Sequence, residues 1–175
     1  MQRRTILQLM VVLPGASAEL HGHEAPQETI RQAPLYFSVR EYQMLRALCQ
    51  LIIPPDGKTG GAVEAGAPEF IDLLTSENAD YQRRLSGGLL WLDAACANRF
   101  DRLFSDCNAE QQHEILDAIA FRARAEKDPS LVPGIEFFSF LRDLVLDGFF
   151  TSPIGIGYLQ FRGNRVLSSF PGCPE

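Results

Sequence analysis

Apolar residues recur at steps of three and four along most of this chain, and this spacing restricts its fold more than any other feature of the sequence. Such steps bring side chains to one face of an α-helix, whereas a strand would need an alternation that no stretch maintains for more than a few residues. Ser38 and Glu41 match a capping box that would begin the first helix, and Pro54-Pro55 would end it. We therefore predict an all-α fold, a compact bundle of about five helices. The predicted helices run from Ser38 to the two prolines, a short way from Pro68, over roughly 79–104, from Asn108 to Asp128-Pro129, and over roughly 135–149.

A pair of glycines, Gly87-Gly88, lies in the middle of the third predicted helix. Each glycine weakens a helix interior by about 1 kcal/mol relative to alanine, so the pair needs a structural reason. A kink or a close approach by another helix would supply one, and the sequence leaves both open.

The first residues resemble an export signal rather than a part of the helical bundle. Arg3 and Arg4 precede a mainly apolar run over residues 6–13, and Ala16-Ser17-Ala18 offers the small residues that a signal peptidase accepts. The run is shorter than the ~20 apolar residues that span a membrane. We predict an export signal over 1–18 of the twin-arginine type, which carries folded proteins; an ordinary export signal and a basic N-terminus without function are the alternatives. A flexible lead-in over 19–35 and a single helical domain over 36–175, located in the periplasm, would follow.

Charge and cysteine spacing exclude several classes of function. The formal net charge is −6, and no cluster of Lys and Arg suggests nucleic-acid binding. No CxxC or CxxCH motif occurs, which argues against haem attachment, iron–sulfur clusters and structural zinc in this chain. An oxidising compartment would let Cys49, Cys96, Cys107 and Cys173 form disulfides, in any of three full pairings between which the sequence does not choose. Cys49 and Cys96 also fit as buried small hydrophobes.

His113, Glu114 and Asp117 are the strongest candidates for chemistry in the sequence. Their helical spacing could place an imidazole and a carboxylate on neighbouring faces, as a general acid–base pair needs. A solvated helix face explains them more simply, so we assign no catalytic, cofactor-binding or metal-binding residue. The alternative hypothesis is a stand-alone periplasmic ligand-binding protein or enzyme that uses these three side chains.

The C-terminal arm, which begins at about residue 150, is rich in apolar residues but lacks helical periodicity. We predict that it is irregular but ordered. An apolar segment of this kind needs cover, which either its own helices or a partner could supply. Aromatic side chains would provide contact area, and glycine and asparagine would suit turns. The residues we predict to bind a partner or to shape the arm are Phe149, Phe150, Pro153, Tyr158, Gly163 and Asn164.

Short blocks that span most of the chain after residue 35 match one known family in their order and spacing. They are Tyr36-Phe37-Ser38 ahead of Glu41, Leu51-Ile52-Ile53-Pro54-Pro55-Asp56, Gly61-Ala62, Glu69-Phe70-Ile71-Asp72, Gly88-Leu89-Leu90-Trp91-Leu92-Asp93, Phe104 ahead of Gln111-Gln112, Gly148-Phe149-Phe150-Thr151-Ser152-Pro153, Tyr158, Gly163-Asn164 and Pro171-Gly172-Cys173-Pro174. In these blocks the chain resembles the gluconate 2-dehydrogenase subunit 3 family, the small subunits of membrane-associated flavin dehydrogenases for sugars and sugar acids.

The resemblance implies a non-catalytic subunit that aids the folding, stability and twin-arginine co-export of a larger catalytic subunit. That partner would be of the glucose-methanol-choline type and would carry FAD, and a multihaem cytochrome c with haem c could complete the complex. Membrane association would arise only through the complex. One departure matters: members of the family often have a Tyr-Gly-Gly-Asn segment, whereas here residues 158–164 are longer. The substrate therefore stays open among a sugar acid, an aldose and a glycoside.

Overall fold

The computed structural model describes residues 33–125, 127–161 and 163, and within them it contains α-helices and short 3-10 turns but no strand. This confirms the predicted all-α bundle. The predicted signal over 1–18 and most of the lead-in lie outside the described residues. The helices are α1 (Val39–Ile52), α2 (Ala67–Glu77), α3 (Ala79–Phe100), α4 (Ala109–Ile119), α5 (Val132–Phe150) and α6 (Pro153–Tyr158).

Side-chain caps fix two of the helix starts where the sequence predicted them. The Ser38 hydroxyl accepts a hydrogen bond from the Glu41 amide at 3.3 Å, and the Ser38 amide donates to the Glu41 carboxylate at 3.0 Å. Asn108 and Gln111 make the equivalent pair of bonds at the start of α4. Both capping boxes satisfy amides that a helix start would otherwise leave without partners.

The ends of the longer helices differ from the sequence prediction. Helix α3 ends at Phe100 because Asp101 adopts the left-handed conformation, with φ 54° and ψ 36°, a geometry that asparagine and aspartate tolerate better than most residues. Helix α5 begins at Val132 rather than near 135, and Pro133 suits its first turn because the missing N–H would have no helical partner there.

Helix α5 is the centre of the bundle and contacts α1, α2, α3 and α4. Its contact with α3 depends on two glycines. A Cβ on Gly88 of α3 would lie 1.8 Å from the Phe137 ring, and a Cβ on Gly134 of α5 would lie 2.3 Å from the Trp91 ring. Each helix thus places an aromatic ring on a glycine of the other, which is the close approach that Gly87-Gly88 suggested, while Gly87 itself faces open space.

Two buried carboxylates fasten the connecting segments to the helices. Asp72 of α2 accepts the backbone amides of Leu35, Tyr36 and Phe37 at 2.6, 3.1 and 3.3 Å. Asp93 of α3 accepts the Phe104 amide at 3.0 Å and forms an ion pair with Arg40 of α1. Within the described part of the chain, no buried side-chain polar atom lacks a hydrogen-bond partner.

The arm predicted to be irregular begins with a short helix. Ser152 caps α6, and Pro153 occupies its first turn. This helix could not be recognised in the sequence because the glycines at 155 and 157 have a low intrinsic helix propensity. Among the described residues, no helix is both long and apolar enough to cross a membrane.

Candidate partner-binding surface

The connection between α5 and α6 is held by a serine and a glycine. The Ser152 hydroxyl donates to the Phe149 carbonyl oxygen at 2.7 Å and accepts the Gly155 amide at 3.0 Å. A Cβ on Gly155 would lie 2.1 Å from that same carbonyl oxygen and 2.7 Å from the Phe150 Cα. Helix α6 therefore packs on the backbone of α5 at a distance that only glycine allows.

Three aromatic rings join the two helices at this connection. The Phe149 ring packs edge-on against Phe150 at 5.1 Å between centroids and against Tyr158 at 6.3 Å. Such edge-to-face contacts stabilise aromatic pairs beyond the area that they bury. Phe149 is only 4% exposed, whereas Tyr158 is 56% exposed, so the cluster runs from the core to the solvent.

The outer side of the arm is apolar and exposed. We define the arm surface as Ile156, Tyr158, Leu159 and Phe161, which are 39%, 56%, 56% and 56% exposed. Four large apolar side chains within six residues of sequence form a local concentration, whereas single exposed apolar residues are ordinary on any protein. Surfaces of this kind are typical of sites that another protein covers.

A polar loop over residues 56–60 borders the arm surface. A groove of about 650 Å³ lies between this loop and α6, lined by Asp56, Lys58, Thr59, Gly60, Pro153, Ile154, Gly157 and Tyr158. The amides of Thr59 and Lys58 donate to the Asp56 carboxylate at 2.6 and 2.9 Å, and these bonds lower the pKa of Asp56. A charged rim beside an exposed apolar area is the usual anatomy of a protein interface.

The residues predicted for partner binding occupy different positions in this surface. Pro153 and Tyr158 are exposed, Phe150 is half-buried, and Phe149 is buried, so Phe149 serves to shape the arm. Gly163 has φ +83°, the left-handed geometry for which glycine was expected. Asn164, together with the export residues Arg3, Arg4, Ala16 and Ala18, lies outside the described residues.

Sequence reasoning did not single out Leu159 and Phe161, although both are as exposed as Tyr158. Their apolar character in a segment without periodicity was the available signal. Gln160 between them has φ 52°, a conformation that a non-glycine residue adopts rarely. That turn could not be predicted from a glutamine.

The structure does not gather His113, Glu114 and Asp117 into one site. All three are exposed on α4, and Glu114 forms an ion pair with Arg99 of α3. Glu114 and Arg99 border a groove of about 610 Å³ whose lining does not include His113 or Asp117. Among the residues that the structure describes, no group of His, Cys, Asp and Glu could hold a metal ion.

The described cysteines are buried thiols. Burial raises the pKa of Cys49 from 9.0 to about 12, with a further contribution from the Glu69 carboxylate. Burial also raises the pKa of Cys96 to about 12, assisted by the neighbouring Cys107 thiol and the Asp93 carboxylate. The Cys49 and Cys96 thiols are therefore protonated at neutral pH and do not react readily with an external reagent.

The fold and the arm surface define a small all-α protein with a concentrated apolar surface beside its last described helix. The family model described as gluconate 2-dehydrogenase subunit 3 matches residues 39–172, and the chain belongs to this family. No curated protein and no solved structure matches it.

Proposed function

We propose that this chain is the non-catalytic small subunit of a periplasmic, flavin-dependent dehydrogenase for a sugar or a sugar acid. The family match over residues 39–172 carries this proposal, because the family description names a subunit of a dehydrogenase. In this proposal the catalytic subunit is of the glucose-methanol-choline type and carries FAD, and a multihaem cytochrome c accepts its electrons. The small subunit aids the folding and stability of the catalytic subunit and its export.

The arm surface is the part of this chain that we assign to contact with the catalytic subunit. Its support is the exposure of Ile156, Tyr158, Leu159 and Phe161 beside a loop that carries Asp56 and Lys58. Burial of such side chains removes apolar surface from water, which favours association. Aromatic anchors with a polar rim often supply most of the binding energy of an interface.

Export is the second element of the proposal. Arg3 and Arg4 precede an apolar run, a pattern that resembles a twin-arginine signal. A folded route suits a partner that must take up its flavin before export. One signal on the small subunit would then serve both chains.

Affinity purification of the tagged full chain from the periplasm of its native cell tests the subunit proposal directly. The expected result is a yellow preparation with a flavin spectrum and a stoichiometric dehydrogenase subunit, and candidate sugars and sugar acids would then identify the substrate by reducing that flavin. A colourless chain that purifies alone would contradict the proposal. It would favour the stand-alone alternative, which turnover by the isolated protein and by a His113→Ala variant would then test.

A double substitution, Arg3→Lys with Arg4→Lys, tests the export role separately. We expect the dehydrogenase activity to remain inside the cell, because the twin-arginine route depends on that pair. Arg31→Lys in the lead-in is the matched control and should leave periplasmic activity unchanged. Undiminished periplasmic activity in the double variant would show that this chain does not carry its partner across the membrane.

A further inference from the structure

Two buried cysteines lie side by side where α3 meets the turn that leads to α4. Cys96 is on the last part of α3 and is 0% exposed, and Cys107 follows the 3-10 turn Phe104–Asp106 and is 7% exposed. The Cys107 thiol is close enough to Cys96 to affect its ionisation. Both are free thiols in this structure.

Hydrogen bonds to α3 and α4 hold the 3-10 turn that precedes Cys107. Asp93 accepts the Phe104 amide at 3.0 Å, and the Gln112 side chain donates to the Phe104 carbonyl oxygen at 2.9 Å. Asp93 and Cys96 are three residues apart on α3, so they lie on one side of that helix. Phe104 begins the 3-10 turn and Cys107 directly follows it, where the Cys107 amide donates to the Phe104 carbonyl oxygen at 3.3 Å. Asp93 and Phe104, which are hydrogen-bonded, are 11 residues apart in the sequence, and Cys96 and Cys107 are also 11 residues apart. Each cysteine thus lies three residues beyond one member of the hydrogen-bonded pair, which places the two cysteines next to each other.

Cys49 occupies a different part of the core. It lies on α1, where Glu69 of α2 and Arg46 are the charged groups that influence it. Among the described cysteines, the fold therefore brings together Cys96 and Cys107 and leaves Cys49 apart. Cys173 lies outside the described residues.

We propose that Cys96 and Cys107 form a disulfide when the folded chain meets a disulfide-bearing oxidant. Cys107, the more exposed thiol, attacks the oxidant as its thiolate, forms a mixed disulfide and releases one thiol. Cys96 then loses its proton and attacks the Cys107 sulfur, which forms the Cys96–Cys107 bond and releases the second thiol. The chain gives up two protons and two electrons, and the oxidant disulfide is reduced to two thiols.

This bond would link the end of α3 to the turn before α4 without a change of fold, because the two segments are already fixed to each other. The pair stays reduced in a compartment rich in glutathione or thioredoxin and oxidises outside it. The proposal stands independently of the proposed function. A Cys96–Cys107 disulfide in the isolated protein would therefore indicate that the chain had passed through an oxidising compartment.

Thiol mapping of the full chain tests the proposal. The protein is purified under reducing conditions, treated with oxidised glutathione until its thiol content is constant, unfolded in the presence of an alkylating agent and digested. We expect one peptide pair joined through Cys96 and Cys107, with Cys49 alkylated. A bond that includes Cys49 or Cys173 instead, or a Cys96 and Cys107 that are both alkylated, would overturn the proposal.

Variants and thermal unfolding provide the second readout. Oxidation should raise the Tm of the wild-type chain by about 10 °C, because the bond restricts the unfolded ensemble. Cys49→Ser is the control and should show the same rise, whereas Cys107→Ser should show none. Cys107→Ser is preferred to Cys96→Ser because Cys107 is the less buried of the pair, and an equal rise in Cys107→Ser would also contradict the proposed bond.

Discussion

The contact between α3 and α5 and the contact between α5 and α6 both depend on glycine, but they leave their apolar side chains in different surroundings. At the first, rings from Phe137 and Trp91 rest on Gly88 and Gly134 and close the core. At the second, Gly155 lets α6 pack on α5, yet large apolar residues beyond it stay exposed. Helices of 22 and 19 residues can cover each other, whereas a helix of 6 residues can bury only one side. A glycine that allows two helices to pack closely can therefore help to close the core, as Gly88 and Gly134 do. Where the second helix is as short as α6, the same kind of contact leaves apolar side chains exposed.

Substitution of Gly88 should break the inner contact and have the largest effect on stability. In Gly88→Ala the new methyl would overlap the Phe137 ring, so we expect a loss of about 3 kcal/mol in the free energy of unfolding. Gly87→Ala is the matched control: it faces open space, and its better helix propensity should raise stability by up to about 1 kcal/mol. Urea unfolding of both variants measures the difference, and changes of the same sign would contradict the proposed packing.

Alkaline pH should weaken the interior through its buried thiols. The Cys49 thiol has its pKa raised from 9.0 to about 12 in the folded chain, so above pH 9 the unfolded chain loses that proton first. The unfolded state then binds fewer protons than the folded state, and stability falls as pH rises towards 12. Between pH 8 and 11 we expect Cys49→Ala to lose about 2 kcal/mol less than the wild type, as measured by urea unfolding. Gly87→Ala should keep the wild-type slope, and an equal slope in Cys49→Ala would show that this thiol does not contribute.

Substitution of Gly155 should break the outer contact with a smaller loss of stability. In Gly155→Ala a methyl would meet the Phe149 carbonyl oxygen, and α6 can relieve the overlap by moving away from α5. We expect a loss of about 1–2 kcal/mol and faster amide hydrogen exchange in α6. Gly157→Ala, which faces open space, is the control and should not speed that exchange. Unchanged exchange in Gly155→Ala would mean that the close approach does not hold α6 in place.

Replacement of an exposed arm residue should have the smallest effect on stability and a large effect on partner binding. Phe161→Ser should change the free energy of unfolding by no more than about 0.5 kcal/mol. Capture of the catalytic subunit should nevertheless weaken about tenfold or more, as expected for an aromatic anchor. Phe121→Ser is the matched control, since Phe121 is 62% exposed, precedes the 3-10 turn Arg122–Arg124 and is not one of the arm-surface residues. Equal loss of capture in both variants would remove the arm surface from the proposed interface.

Helix starts could be predicted from the sequence because their signals are local. Ser38 with Glu41 and Asn108 with Gln111 supply their own partners within four residues, and both appear in the structure. Helix α6 was missed although Ser152-Pro153 is a local start signal. Its single apolar turn contains two glycines and lacks the repeat by which helices are recognised.

Contacts between distant residues could not be predicted. Asp72 binds amides 35 to 37 positions away, and the sequence offers no sign of which segment its carboxylate meets. The pairing of the cysteines was open for the same reason, because only the fold places Cys107 beside Cys96. The arm surface was predicted in part, since apolar residues without periodicity pointed to it, but their exposure depends on how α6 turns away from α5.

The hydrogen bonds that the amides of Leu35, Tyr36 and Phe37 donate to Asp72 have a mechanical consequence. A force applied to the chain ahead of Leu35 reaches α2 through these hydrogen bonds before it can unwind α1. Three bonds to one carboxylate share that load, and Asp72 itself is held inside the bundle with 4% of its surface exposed. A chain pulled from its N-terminal side would therefore load α2 together with α1, because the segment ahead of α1 is bonded to both helices.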